Sequence, residues 1–130
     1  QHQDVRVENG IQYGDLEEYI DYEYLRKNTG VNLANLANLS KAPAMPDSVK
    51  MEVKRLTNST LLYWQTPKIG KVKGYYVLVR ETTSAFWQRK IFTAETEMRL
   101  PYSKDIYFFA VQSVNETGNE SLPVVPLPGR

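Results

Sequence analysis

"DIYFFAVQSVNETG", residues 105–118, is the stretch on which the fold turns. Tyr107, Phe109, Val111 and Ser113 fall on one side of it, Phe108 and Ala110 on the other. That period of two is what a strand with one face in a core requires. The Asn, Thr and Gly that follow are turn residues. The same alternation recurs upstream. "GYYVLVRET" (74–82) sets Tyr75, Val77 and Val79 on one face, and "STLLYWQT" (59–66) does the same with Thr60, Leu62 and Trp64. Shorter strands are read at 48–53, 85–93 and 97–100. "SLPVVPL" (121–127) reads as an edge strand, because proline cannot donate to a ladder.

Seven short strands with regular turn spacing predict a mainly β fold, a two-sheet sandwich. The expected inward set is Val53, Leu62, Trp64, Tyr75, Val77, Val79, Leu100, Tyr107, Phe109 and Val111. Tyr63, Tyr76, Leu78, Phe108 and Ala110 alternate with that set and face away from it. An apolar outer patch of this kind marks a contact surface, or else neighbouring long side chains cover it. Tyr63, Tyr76, Leu78 and Phe108 are the candidate interaction residues, expected to meet a helix or another domain.

Four stretches, in order, resemble a fibronectin type III domain over about residues 44–127: "WQTP" (64–67), "GYYVLVR" (74–80), Leu100 with Pro101, and "YFFAVQSVNETG" (107–118). The resemblance implies a seven-stranded, immunoglobulin-like β-sandwich with an α-helix before it. Trp64, Tyr75, Val77, Phe109 and Val111 are then structural residues. Tyr107 becomes a tyrosine corner whose hydroxyl bonds to the backbone upstream. The gap from Leu100 and Pro101 to Tyr107 is longer than that family's, so the loop at 102–105 is expected to bulge.

Residues 15–43 read differently. Asp15 and Glu18 have the spacing of a capping box, and Pro43 and Pro46 stop a helix. This predicts a helix over about 16–40, with Gly30 a weak point that leaves open a break near Thr29. At 100° per residue Leu16, Tyr19, Ile20, Tyr24, Val31, Ala34 and Ala37 fall on one side. Tyr22, Leu25, Leu33, Leu36 and Leu39 fall largely on the other. A helix apolar on both sides is expected to be enclosed on both sides, and a sandwich covers at most one. The chain also begins at Gln rather than Met, so it is read as a processed or excised piece.

"VENGIQYGDLEEYIDYEYL" (7–25) and "NLANLANLSKAP" (32–43) are similar to the C-terminal end of catalytic domains in the di-zinc aminopeptidase and glutamate carboxypeptidase family. The resemblance implies that residues 1–43 are a tail and helix left from an upstream peptidase domain, and that 44–130 are the fibronectin-like domain. It places zinc in the parent protein and none in this chain. His2 is a weak match to the family's last zinc ligand, and one His is not a zinc site, which needs at least three protein ligands.

Other chemistry finds little support. There is no cysteine, so disulfides, thiolate metal sites and cysteine nucleophiles drop out together. Sixteen basic and 15 acidic residues leave a net charge of +1, without the basic face nucleic acid requires. No apolar run approaches membrane-spanning length. Asp15, Glu17, Glu18, Asp21 and Glu23 lack the spacing of a calcium loop and read as a solvated first turn. "KIGKVKG" (68–74) reads as a soluble turn. N-x-Ser/Thr sequences at Asn38, Asn58, Asn115 and Asn119 read as chance in an Asn- and Thr-rich chain. The sequence therefore predicts a non-catalytic C-terminal accessory module of an exported bacterial zinc aminopeptidase-like protein. Its partner is the upstream domain, or a second copy through the helix. The alternative is a free-standing adhesion or receptor-type module that binds protein or glycan.

Overall fold

The structure, a computed structural model, describes residues 3–55 and 57–129. The chain divides into two compact units, residues up to 37 and residues from 38 on, and the division falls inside the helix. His2 lies outside the described residues.

In the first unit, β1 (Arg6–Glu8) and β2 (Ile11–Tyr13) pair antiparallel. The turn between them is Asn9-Gly10, at φ 53° and 81°. A two-residue turn matched to strand twist needs positive φ at both centres, and Asn-Gly supplies it at least cost. A single 3-10 turn, Glu17–Tyr19, comes next, and α1 (Tyr22–Lys41) follows. The cap of α1 is Asp21: its carboxylate accepts the Tyr24 N–H at 3.0 Å and its carbonyl the Leu25 N–H at 2.9 Å. This corrects the expected start at Leu16. Ile20 is extended (φ −79°, ψ 123°) and separates the 3-10 turn from the helix. Nor does Gly30 break α1. The Asn32 side chain donates to the Asn28 carbonyl at 3.0 Å, bridging that turn. No residue of α1 is buried.

The second unit is the sandwich. Its strands are β3 (Asp47–Glu52), β4 (Thr60–Gln65), β5 (Gly74–Glu81), β6 (Arg89–Thr93), β7 (Glu97–Leu100), β8 (Tyr107–Val114) and β9 (Leu127–Gly129). One sheet has the order β7-β4-β3-β9 and the other β6-β5-β8. With the hairpin, the described residues form nine strands in three sheets rather than seven in two. Between residues 120 and 129 the chain serves both larger sheets. It bridges β8 at Val114↔Glu120 and Val111↔Val124, then β9 joins β3 in parallel at the sheet edge. Pro123 and Pro126 lie in this crossing segment and Pro128 in the edge strand, where a missing N–H is tolerated.

Val49, Leu62, Trp64 and Leu100 from one sheet interlock with Tyr75, Val77, Val79, Phe109 and Val111 from the other. Trp64 and Tyr75 meet edge to face at 5.3 Å. Val53 was expected in this set but is exposed, and Val49 is buried instead. The pairing of β3 with β4 shifts between Asp47 and Lys50, and β3 ends at Glu52, one residue before Val53. Tyr107 is only half-buried. Among the described residues its hydroxyl makes no hydrogen bond, so the tyrosine-corner bond is not formed. In the preceding loop the Tyr107 N–H donates to the Ser103 carbonyl at 3.1 Å. Thr60 Oγ1 fixes that loop from the facing strand by donating to the Tyr102 carbonyl at 2.7 Å. The Tyr102 ring packs on Tyr107 at 5.0 Å.

Candidate functional site

The four candidate interaction residues do not form one patch. Tyr63 stands on β4, on the outer side of the four-stranded sheet, with its hydroxyl lying against Gly129. Tyr76, Leu78 and Phe108 lie together on the outer face of the three-stranded sheet. There the register sets Tyr76 opposite Phe92 and Gln112, Leu78 opposite Lys90 and Ala110, and Arg80 opposite Phe108.

Leu78 and Ala110 face away from the core as expected, yet are buried, at 4% and 0% exposure. Long side chains roof them. Lys90 reaches past the Tyr76 ring, its Nζ 4.3 Å from the centroid, to pair with Glu120. Tyr76 packs edge to face on Phe92 at 5.6 Å. The Arg80 guanidinium lies 4.6 Å from the Phe108 ring and 5.5 Å from that of Trp87, and donates to the Ser84 carbonyl. Arg and Lys cover apolar surface with their stems while keeping the charge wet, and each cation over a ring at a half-exposed site adds about 0.5–1 kcal/mol. What stays open is the rim: Phe108, Phe92 and, at 81% exposure, Phe86.

The second apolar surface is on α1. Tyr22, Leu25, Leu33, Leu36 and Leu39 follow one another around a single stripe, and all are exposed. Tyr24 and Val31 are exposed on other sides of the helix. Exposed leucines scattered singly need no explanation, but a stripe of them does. Ahead of α1, the Tyr22 hydroxyl donates to Glu17 Oε1 at 2.9 Å. That bond to the carboxylate, with desolvation adding to it, holds the Tyr22 phenol above its usual pKa.

Within the second unit, a turn of the sandwich meets the end of α1. Asn115 Oδ1 accepts the Thr117 N–H at 3.2 Å, the Thr117 hydroxyl at 2.8 Å and the Asn119 N–H at 2.9 Å. Its Nδ2 donates to the Lys41 carbonyl at 3.0 Å, satisfying one of the orphan acceptors at the end of α1. The turn composition of "NETG" pointed to the first three bonds, and no local signal points to the fourth.

Among the described residues no group of three or more His, Asp or Glu side chains is placed to hold a metal ion. The acidic residues around the 3-10 turn do not converge. Among the described residues no helix is long and apolar enough to cross a membrane.

No protein-family model matches the chain. By sequence it is similar to a probable zinc metalloprotease of Leptosphaeria maculans, 42% identical over 130 residues, which are 99% of this chain and 30% of that protein. A probable zinc metalloprotease of Pyrenophora tritici-repentis is 37% identical, over 99% of this chain and 27% of its own length. The chain thus spans less than a third of the curated relatives it matches, and these are fungal, which leaves a bacterial source without support. Among solved structures it resembles a Fn3-like protein from Clostridium thermocellum (TM-score 0.53, 18% identical, 69% of this chain and 97% of that one). It also resembles a structure of titin kinase and its flanking domains (TM-score 0.52, 28% identical, 64% of this chain and 16% of that one). The fold is mainly β and fibronectin type III-like, and the chain is similar in sequence to a part of probable zinc metalloproteases of fungi.

Proposed function

We propose that this chain is the non-catalytic accessory region of an exported zinc aminopeptidase-like protein, with α1 the last element of the catalytic domain and the sandwich a module fastened behind it. The observation that carries the reading is the bare stripe of α1: Tyr22, Leu25, Leu33, Leu36 and Leu39 are all exposed. Burying a leucine side chain contributes roughly 1.5–3 kcal/mol, so such a stripe has a strong drive to find cover. Relatives more than three times as long supply the polypeptide to cover it. Zinc, in this reading, belongs to that other polypeptide, since the described residues hold no metal-binding group.

Hydrogen exchange tests it. Amides of 25–39 should exchange quickly in the 130-residue chain and be strongly protected in the full-length protein. Equal exchange in the two would refute the assignment. Protection that rises with concentration of the 130-residue chain alone would favour a second copy as the cover.

A second reading has its own observation. Phe86 and Phe108 are exposed, Phe108 beside Arg80 on the rim of the sandwich, a surface suited to binding protein or glycan. Under this reading Phe108→Ala abolishes binding to a captured partner and leaves exchange in α1 unchanged.

A further inference from the structure

Four of the eight asparagines have Ser or Thr two residues on, although Ser and Thr are only 16 of the 130 residues. That excess, together with fungal relatives, turns these sequences from chance matches into candidate acceptors for N-linked glycans. The structure sorts the three that lie on the sandwich.

Asn115 is fully engaged. The sugar is attached through Nδ2, and that atom donates to the Lys41 carbonyl, while Oδ1 accepts three further bonds that hold the turn. Asn119 is engaged too: its Nδ2 donates to Thr117 Oγ1 at 2.8 Å and its N–H belongs to the Asn115 turn. A glycan on either must stand inside a closed hydrogen-bonded turn.

Asn58 is different. It is exposed, in the loop between β3 and β4, and its side chain makes no hydrogen bond among the described residues. The loop around it is nonetheless anchored. Thr57 Oγ1 donates to the Ser59 carbonyl at 2.6 Å, Lys104 Nζ donates to the Arg55 carbonyl at 3.1 Å, and Thr60 bonds to the Tyr102 carbonyl. The loop lies at the opposite end of β3 from Lys41 and Asn115. Six residues of strand separate the two ends by about 20 Å. A glycan there crosses neither the core nor the junction with α1.

We propose that Asn58 is an N-glycosylation site, bearing an oligosaccharide with N-acetylglucosamine at its reducing end, and that Asn115 and Asn119 are unmodified in the folded, secreted protein. The Asn58 amide nitrogen bonds to the anomeric carbon of a lipid-pyrophosphate-linked oligosaccharide. The bond from that carbon to the pyrophosphate oxygen breaks, and the amide proton leaves with the lipid pyrophosphate. Transfer precedes folding, so the folded contacts act afterwards: a chain modified at Asn115 forfeits its turn and the bond to Lys41, and one modified at Asn58 forfeits nothing.

The test is to secrete the full-length protein from a filamentous fungus and remove N-glycans with an amidase in ¹⁸O-water, which marks each formerly occupied Asn as labelled Asp in peptide mass spectra. The label is expected on Asn58 in most copies and to be absent from Asn115 and Asn119. Asn58→Gln should reduce the mass of the secreted protein by one oligosaccharide; if that variant fails to be secreted, the wild-type peptide spectra decide alone. An unlabelled Asn58, a labelled Asn115, or retention of the wild-type protein in the cytosol without modification each overturns the proposal.

Discussion

The two units of this molecule draw on the same apolar side chains and use them in opposite ways. Among residues 3–37 no side chain is buried, even though Val, Ile, Leu and Tyr are frequent there. In the sandwich the same residue types close a core from both sheets. What separates the units is partnership between faces. Each sheet of the sandwich has one apolar face and another sheet to set it against. The helix has a stripe of its own and, among the described residues, nothing that buries it. Hydrophobic composition therefore speaks of burial only where the opposing surface is also in the chain.

The sharpest way to break that comparison is to make the same truncation in both units. Leu62→Ala, at a fully buried site, is expected to cost about 2–5 kcal/mol. Leu36→Ala, exposed in this chain, should stay within about 0.5 kcal/mol. Urea unfolding followed by tryptophan fluorescence and circular dichroism reads both. In the full-length protein the Leu36 value should climb toward that of Leu62. A large cost for Leu36→Ala in the 130-residue chain would show that the stripe is already covered.

Next in size is a steric test of the sandwich alone. A β-carbon at Gly74 would come within 2.7 Å of the Phe92 ring and of the Thr93 carbonyl. The carbonyl is held in the β5–β6 ladder and cannot swing away. Gly74→Ala should cost about 1–3 kcal/mol by overpacking, seen as a lowered urea midpoint. The structure-matched control, Gly118→Ala, meets no neighbouring atom but sits at φ 83°, so its cost should be backbone strain alone and smaller, about 1 kcal/mol.

Smaller again are the two ends of α1. Asn115→Ala removes the turn bonds and the link to Lys41, for an expected loss of about 1–2 kcal/mol in sandwich stability. Asp21→Ala removes the N-cap and should cost about 1 kcal/mol of helix stability, read as reduced helical circular dichroism with the urea midpoint unchanged. If the two variants shift the same transition by the same amount, helix and sandwich unfold as one unit.

Much of the sandwich was legible because both of its faces obey one rule. Period two put Leu62, Trp64, Tyr75, Val77, Val79, Phe109 and Val111 inside, and the pairing Val77↔Val111 and Val79↔Phe109 bears this out residue by residue. The same rule set Leu78 and Ala110 on the outer face, where they stand, but alternation says only which way a side chain points, and not whether Lys and Arg stems from neighbouring strands reach over it. Val53 erred because the end of a strand carries no periodic signal. The N-terminal hairpin has its signal in Asn9-Gly10, flanked by Val7 and Ile11, but strands of three residues are too short to show alternation beside it. Two Asp residues six apart, Asp15 and Asp21, compete for the cap. The one with Glu three residues on is favoured by sequence, and the fold uses the other. The candidate surfaces were harder than the fold: that Tyr63 and Phe108 belong to different sheets is a matter of strand order, which the alternation of a single strand does not encode.

The smallest effect sits where the two kinds of helical turn meet. The Tyr22 hydroxyl donates to Glu17, and its pKa is raised above that of an ordinary tyrosine, chiefly by that bond. A group whose folded pKa is raised contributes its stabilisation below the unfolded pKa and loses it as pH climbs through the folded one. The Tyr22–Glu17 contact should therefore persist through neutral and moderately alkaline pH and open only above the normal tyrosine range. Carbon-13 labelling of the tyrosine Cζ, followed by NMR from pH 8 upward, separates Tyr22 from the other tyrosines. Glu17→Ala should return its midpoint to the ordinary value with no change in the urea midpoint of the sandwich, since the bond is exposed and confined to the first unit. If the variant's titration is unchanged, the 3-10 turn does not hold Tyr22 in solution, and the entry to α1 is freer than the geometry of Ile20 and Asp21 implies.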